Sequence, residues 1–129
     1  MREPLVPVLG DLERAVLEYL WREGESDVPT TYAEVGPARG IRSNTVGSAL
    51  ERLYRKRLVG RRKVSHRYRY WALLDRATFH SRLVLDAVDG GEALKDTGVL
   101  AAFVDAVGDI DEATLDDLAR LIAKRRKDV

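Results

Sequence analysis

Cysteine is missing from this chain of 129 residues. Its absence removes disulfides, thiolate metal sites and cysteine nucleophiles together, and it suits a reducing compartment. Histidine is nearly missing too. His66 and His80 are the only two, and neither stands in a pattern with a nucleophile or at metal-ligand spacing. The longest apolar run, Val99 to Val104, is far short of the roughly 20 residues that cross a bilayer. Residues 1–10 hold two prolines and no apolar stretch of the kind that makes a signal peptide. No glycine-rich loop of the phosphate-cradling kind occurs. These absences argue against an enzyme and lead us to expect a cytoplasmic protein that needs no cofactor and no metal.

Charge is plentiful but unevenly placed. The net charge of +1 hides a polarity, because residues 1–73 carry 14 Lys/Arg against 9 Asp/Glu and residues 74–129 carry 8 against 12. Within 39–69 stand Arg39, Arg42, Arg52, Arg55, Lys56, Arg57, Arg61, Arg62, Lys63, Arg67 and Arg69, with Glu51 the one acidic residue among them. Such asymmetry suggests a half that binds a polyanion joined to a half with another task. A solvated basic face is the plainer reading of a charge run, so the patterning of the segment decides.

Asp11 to Glu23 is predicted to be a helix, since Leu9, Leu12, Val16 and Leu20 recur at three- and four-residue steps and Gly24 can stop it. Ser26 to Thr30 should turn. Thr30 or Thr31 can cap a short helix over Tyr32 to Val35 that ends at Gly36-Pro37. In the stretch Ile41 to Leu58, Ser43 can cap a helix whose Val46, Ala49, Leu50 and Leu53 form one buried stripe. The other face begins with Arg42, Ser43, Asn44, Thr45, Gly47 and Ser48 and turns basic at Arg52, Arg55 and Lys56. Short polar side chains at the front can reach base edges and long cations behind can hold phosphates, which is what docking in a major groove requires. Glycine inside a helix costs about 1 kcal/mol, and close approach to the groove gives Gly47 a reason to be there.

Leu58 to Lys63 and Arg67 to Ala72 are predicted to be strands around a turn at Val64-Ser65-His66. Arg62, Lys63, Arg67 and Arg69 make this hairpin a basic wing able to lie along a phosphate backbone. The alternating aromatics could also stack on RNA bases, but they fit better as a strand face covering a helical core. Beyond residue 73 the pattern is helical over Asp75 to Val88, Thr97 to Val107 and Asp111 to Lys127. Phe103, Val104, Val107, Leu115, Leu118, Leu121 and Ile122 supply apolar stripes on helices too short to enclose a core of their own, so burial against a second copy is the economical solution. Folding back on the N-terminal half is the alternative. The expected class is therefore mainly α with a small β-hairpin: a winged helix-turn-helix domain at 1–73 and a helical dimerisation arm at 74–129.

The order of these features resembles the BlaI/MecI family of penicillinase repressors. The residues that carry the likeness are Leu9 to Glu13 running into Val16 to Trp21, then Thr45-Val46 with Leu50 to Lys56, and last Tyr68-Arg69-Tyr70-Trp71. The resemblance implies a homodimer that sits on a palindromic DNA operator and blocks transcription. It also implies a sensor metalloprotease that relieves repression by cutting an Asn–Phe bond in the dimerisation region. The matching place is Ala102-Phe103, with alanine where the family has asparagine. Arg57 stands where the family has glycine, which suggests a differently built turn after the helix, because arginine is poorer in the left-handed conformation. Copper-responsive relatives use C-terminal cysteines and are excluded. Two rival readings are a winged-helix regulator released by a small-molecule effector, which needs a pocket between the halves, and a dimerisation module without nucleic acid, which leaves the basic segment without a purpose.

Overall fold

A computed structural model describes residues 2–128. Its elements run α1 (Asp11–Glu23), β1 (Ser26–Asp27), α2 (Val28–Val35), α3 (Ser43–Arg55), β2 (Val59–Val64), β3 (Arg67–Ala72), α4 (Arg76–Ala87), α5 (Thr97–Ile110) and α6 (Glu112–Lys127), with 3₁₀ turns at Pro37–Arg39 and Asp89–Lys95. Helices α1, α3, α4, α5 and α6 and the strand hairpin lie close to where the periodicity predicts them, and no helix among the described residues is long and apolar enough to cross a membrane. The chain divides into two compact units, one of residues 3–84 and one of residues 85–128 with Arg2.

In the first unit, Val16, Leu17, Tyr19 and Leu20 of α1 share a core with Val46, Ala49, Leu50 and Leu53 of α3, and Val6, Val35, Leu58, Val59, Tyr70 and Phe79 complete it. The i, i+3, i+4, i+7 spacing on α3 is what lets four side chains enter one core from one face. The sheet order is β1-β3-β2, all antiparallel. Gly60 lies opposite Trp71 in the ladder, and a Cβ on it would come within 2.6 Å of the indole. The glycine is there to let the ring lie across the strand. The indole Nε1 in Trp21 donates to the Leu74 carbonyl at 2.8 Å, tying α1 to the segment before α4.

Several local expectations are corrected. The second helix starts at Val28 rather than Tyr32, and its cap is Asp27 instead of Thr30 or Thr31: the Asp27 carboxylate accepts from the Thr30 backbone N–H at 2.9 Å. Pro29 is compatible because the first helical turn has no use for its missing donor. Thr31 is fully buried, and its hydroxyl donates to the Asp27 carbonyl at 2.7 Å. Ser26-Asp27, expected as turn, pairs with Tyr70 and Arg69 as a third strand. On α3 the cap position belongs to Arg42, which makes no side-chain cap, and Ser43 is already helical. The hairpin turn holds two residues, since Val64 pairs with Arg67. Ser65 and His66 both have positive φ, 47° and 70°, the handedness a two-residue hairpin needs to match the strand twist. Arg57 takes φ 62°, so the turn after α3 keeps the left-handed form despite the missing glycine.

The second unit has a different character. Asp96 caps α5 by accepting from the Gly98 and Val99 N–H groups, and Asp111 caps α6 through Ala113. Leu115 packs 3.4 Å from where a Cβ of Gly108 would lie, which brings the two helices close. Yet neither helix buries a single residue.

Candidate nucleic-acid interface

Helix α3 follows α2 across residues 36–42, which hold the Pro37–Arg39 turn, and burial of Val46, Ala49, Leu50 and Leu53 forces its opposite face outward. Arg42, Ser43, Asn44, Thr45 and Ser48 are exposed at its N-terminal end, with Arg52 and Arg55 further along. Gly47 is half-buried, and a Cβ there would meet Val28 of α2 at 3.7 Å, an ordinary contact. The wing formed by β2 and β3 carries Arg62, Lys63 and Arg67 exposed and Arg69 half-buried. Thus the polar end of α3 and the basic hairpin belong to one unit and are both open to a ligand.

The charge of this surface differs from its appearance in the sequence. Carboxylates from distant segments converge on the cations. Glu13 of α1 is buried and bonds Lys56 at 2.6 Å, with Arg52 at 3.6 Å. Lys56 also donates to the Val8 carbonyl at 2.9 Å. Glu51 pairs with Arg55 at 3.4 Å and with Arg61. Glu25 takes Arg62 at 3.0 Å and Arg69 at 3.1 Å, and Asp27 lies 3.7 Å from Arg67. Of the seven residues expected on phosphates, Lys63 is the one without a carboxylate partner among the described residues. Arg39, Arg42 and Arg57 are likewise without one among the described residues.

These contacts leave their mark on acidity. Burial pushes the Glu13 carboxyl up, but the Lys56 hydrogen bond, the Gly10 N–H and the charges of Lys56 and Arg52 together hold it below the usual range. The hydrogen bond from Arg69 does most to lower Glu25, with Arg62 adding to it. Asp27 is lowered by the Thr30 side chain and backbone N–H. All three are anions at neutral pH.

Arg61 is set apart from the other wing cations. Its guanidinium lies 4.0 Å from the Tyr54 ring centre and 4.2 Å from that of Tyr68. The sandwich joins the end of α3 to β3 through the attraction of a cation for two ring faces.

The two histidines have ordinary places. His66 is in the hairpin turn, and His80 on α4 stacks near Trp21 with its Nδ1 against the Arg76 carbonyl. In the second unit, Phe103, Val104, Leu121 and Ile122 are exposed, while Val107, Leu115 and Leu118 are half-buried. Ala102-Phe103 lies inside α5. Sequence reasoning overlooked Glu13, Glu25 and Asp27, whose partners are about 40 residues away in the chain and leave no local signal. Arg39, named in the basic stretch but given no site role, lies in the Pro37–Arg39 turn before α3.

A family model described as penicillinase repressor matches residues 9–124. The sequence is 36% identical to the transcriptional regulator BlaI of Mycobacterium tuberculosis over 124 residues, which cover 90% of this chain and 83% of that protein. Among solved structures, the AntR antimony-specific transcriptional repressor gives a TM-score of 0.45 at 22% identity, over 65% of this chain and 72% of that one. BpsR of Bordetella bronchiseptica, whose DNA binding is regulated by 6-hydroxynicotinic acid, gives 0.46 at 17% identity, over 92% and 76%.

Proposed function

The chain belongs to the penicillinase repressor family of transcriptional regulators, and from that premise we propose that it represses as a homodimer on a palindromic operator. In this reading one α3 enters the major groove of each half-site. The observation that carries it is the division of α3 between four fully buried apolar residues and an exposed polar N-terminal end. Arg42, Ser43, Asn44, Thr45 and Ser48 face base edges, and Gly47 lies at the closest approach. Arg52, Arg55, Lys56, Arg62, Arg67 and Arg69 meet phosphates after exchanging their carboxylate partners for them, and Lys63 meets them without an exchange.

The division of labour gives residues 1–73 to DNA and residues 74–129 to the dimer, with Phe79 of α4 serving the core of the first. Support for the dimer comes from α5 and α6, which expose Val99, Leu100, Phe103, Val104, Leu121 and Ile122 and bury nothing. An apolar surface of this kind is stable in water when a second copy covers it. Induction would follow from a sensor protease cutting between Ala102 and Phe103. That bond is inside a hydrogen-bonded helix, so α5 must open before a protease can take it.

Fluorescence-anisotropy titration tests the reading, using DNA from upstream of the chain's own gene beside a scrambled duplex at two salt concentrations. Tighter binding to the natural DNA at two chains per site, weakening steeply with salt, is expected. Equal and weak binding to both would overturn it.

A further inference from the structure

Arg62 and Arg69 stand directly opposite each other on neighbouring strands. Two like charges in that position repel and destabilise the hairpin. Glu25, just past the end of α1, lies against both: its Oε2 accepts from Arg62 Nη2 at 3.0 Å and from Arg69 Nε at 3.1 Å. The hydrogen bonds and charges of these two arginines keep its carboxyl ionised well into acid. A single carboxylate oxygen accepting from two guanidinium groups makes the bonds that one phosphate oxygen would make.

We propose that Glu25 is a built-in stand-in for DNA phosphate, which occupies the wing guanidiniums in the free protein and so lowers its affinity for duplex DNA of any sequence. The inference rests on the DNA-binding reading above and deepens it. A duplex must displace Glu25 before the wing can grip the backbone, so the sequence-blind part of binding is weakened and the base contacts of α3 decide where the protein stays. The two arginines differ in how free they become. Arg69 also donates to the Glu25 main-chain carbonyl at 3.2 Å, a bond that survives loss of the carboxylate. Arg62 is held among the described residues by the carboxylate alone, and its side chain is 63% exposed. Arg62 is therefore the cation that Glu25 chiefly withholds.

The test uses the full chain, a random-sequence 20-base-pair duplex and the variant Glu25→Gln, which keeps the shape and removes the charge. Binding is expected to tighten about two- to fivefold at low salt, the range set by the strength of a solvent-accessible ion pair. Glu23→Gln is the control, because it removes the same charge two residues away from a carboxylate that pairs with Arg22 and no wing cation. Its effect should be much smaller. Arg62→Ala should also cost more affinity in the Glu25→Gln background than in the wild type. Unchanged or weaker binding by Glu25→Gln overturns the inference, as does an equal gain from Glu23→Gln or strict additivity with Arg62→Ala. In those cases Glu25 only braces the hairpin or acts through net charge. If the wild-type chain itself shows no salt-dependent duplex binding, the DNA-binding reading falls first and this one with it.

Discussion

The two units of the chain solve the burial problem in different ways. Residues 3–84 enclose fourteen buried hydrophobic side chains drawn from α1, α2, α3, α4 and the sheet, with Val6 of the N-terminal segment among them. Residues 85–128 are helical without a strand, but α5 and α6 contribute none. Composition does not explain the contrast, because α5 is rich in apolar residues, with Val99, Leu100, Phe103, Val104 and Ile110 all exposed. What differs is the number of layers. Helices stacked on a sheet and on one another can each turn a stripe inward, whereas a pair of helices has one shared seam and leaves the rest of its apolar surface in water. The first unit has the makings of independent stability, and the second leaves most of its apolar surface uncovered.

The largest expected effect breaks the second unit alone. Leu118→Asp with Ile122→Asp puts two charges on the apolar face of α6, and sedimentation velocity should show monomers, a loss of about 5 kcal/mol or more in association. The heat-unfolding signal of the first unit should survive. A dimer that persisted would place the interface elsewhere. The converse experiment is Leu50→Ala, which opens a hole in a fully buried site and should cost the first unit about 3 kcal/mol in denaturant titration. Measured above the unfolding midpoint of the wild type's first unit, dimerisation through α5 and α6 should be the same in both proteins.

Electrostatics sharpens the comparison further. Glu13→Gln removes the buried anion that ties α1 to Arg52 and Lys56, and it should lower stability by about 2 kcal/mol at pH 7. The Glu13 carboxyl is more acidic folded than its ordinary value of 4.5. Its stabilisation is therefore fully present above that value and lost as pH falls through the depressed one. Wild type and variant should converge in acid, and a gap that stayed constant down to pH 2 would show that packing, not charge, holds the site. The smallest effect has the opposite sign. Gly47→Ala places a methyl group at ordinary contact with Val28 and should stabilise the first unit by about 1 kcal/mol, while weakening duplex binding and leaving dimerisation unmoved. A variant that gained stability and kept full affinity would end the idea that this glycine serves the groove.

Much of the fold was legible because the hydrophobic spacing on α1, α3, α5 and α6 is unambiguous, and because Tyr68 and Tyr70 alternate with arginines. The core stripe of α3 was readable residue by residue. Local exchanges of role were not. Asp27 and Thr30 are both good capping residues, and the choice between them depends on Ser26 and Asp27 pairing with β3, a tertiary event. Ser65, His66 and Arg57 sit in left-handed conformations that their side chains do not advertise. The candidate site was legible as a set of cations but not as an electrostatic surface. Glu13, Glu25 and Asp27 come from outside the basic stretch, so counting charges along the chain overstated what a ligand would meet.

The Tyr54–Arg61–Tyr68 sandwich has a mechanical outcome. By clamping the end of α3 to the wing strand it fixes the gape between them, as the jaws of a calliper are fixed by a locking screw. Under the DNA-binding reading proposed above, a duplex whose grooves differ in width from that gape would engage one jaw but not both. Arg61 would then make the protein responsive to groove width.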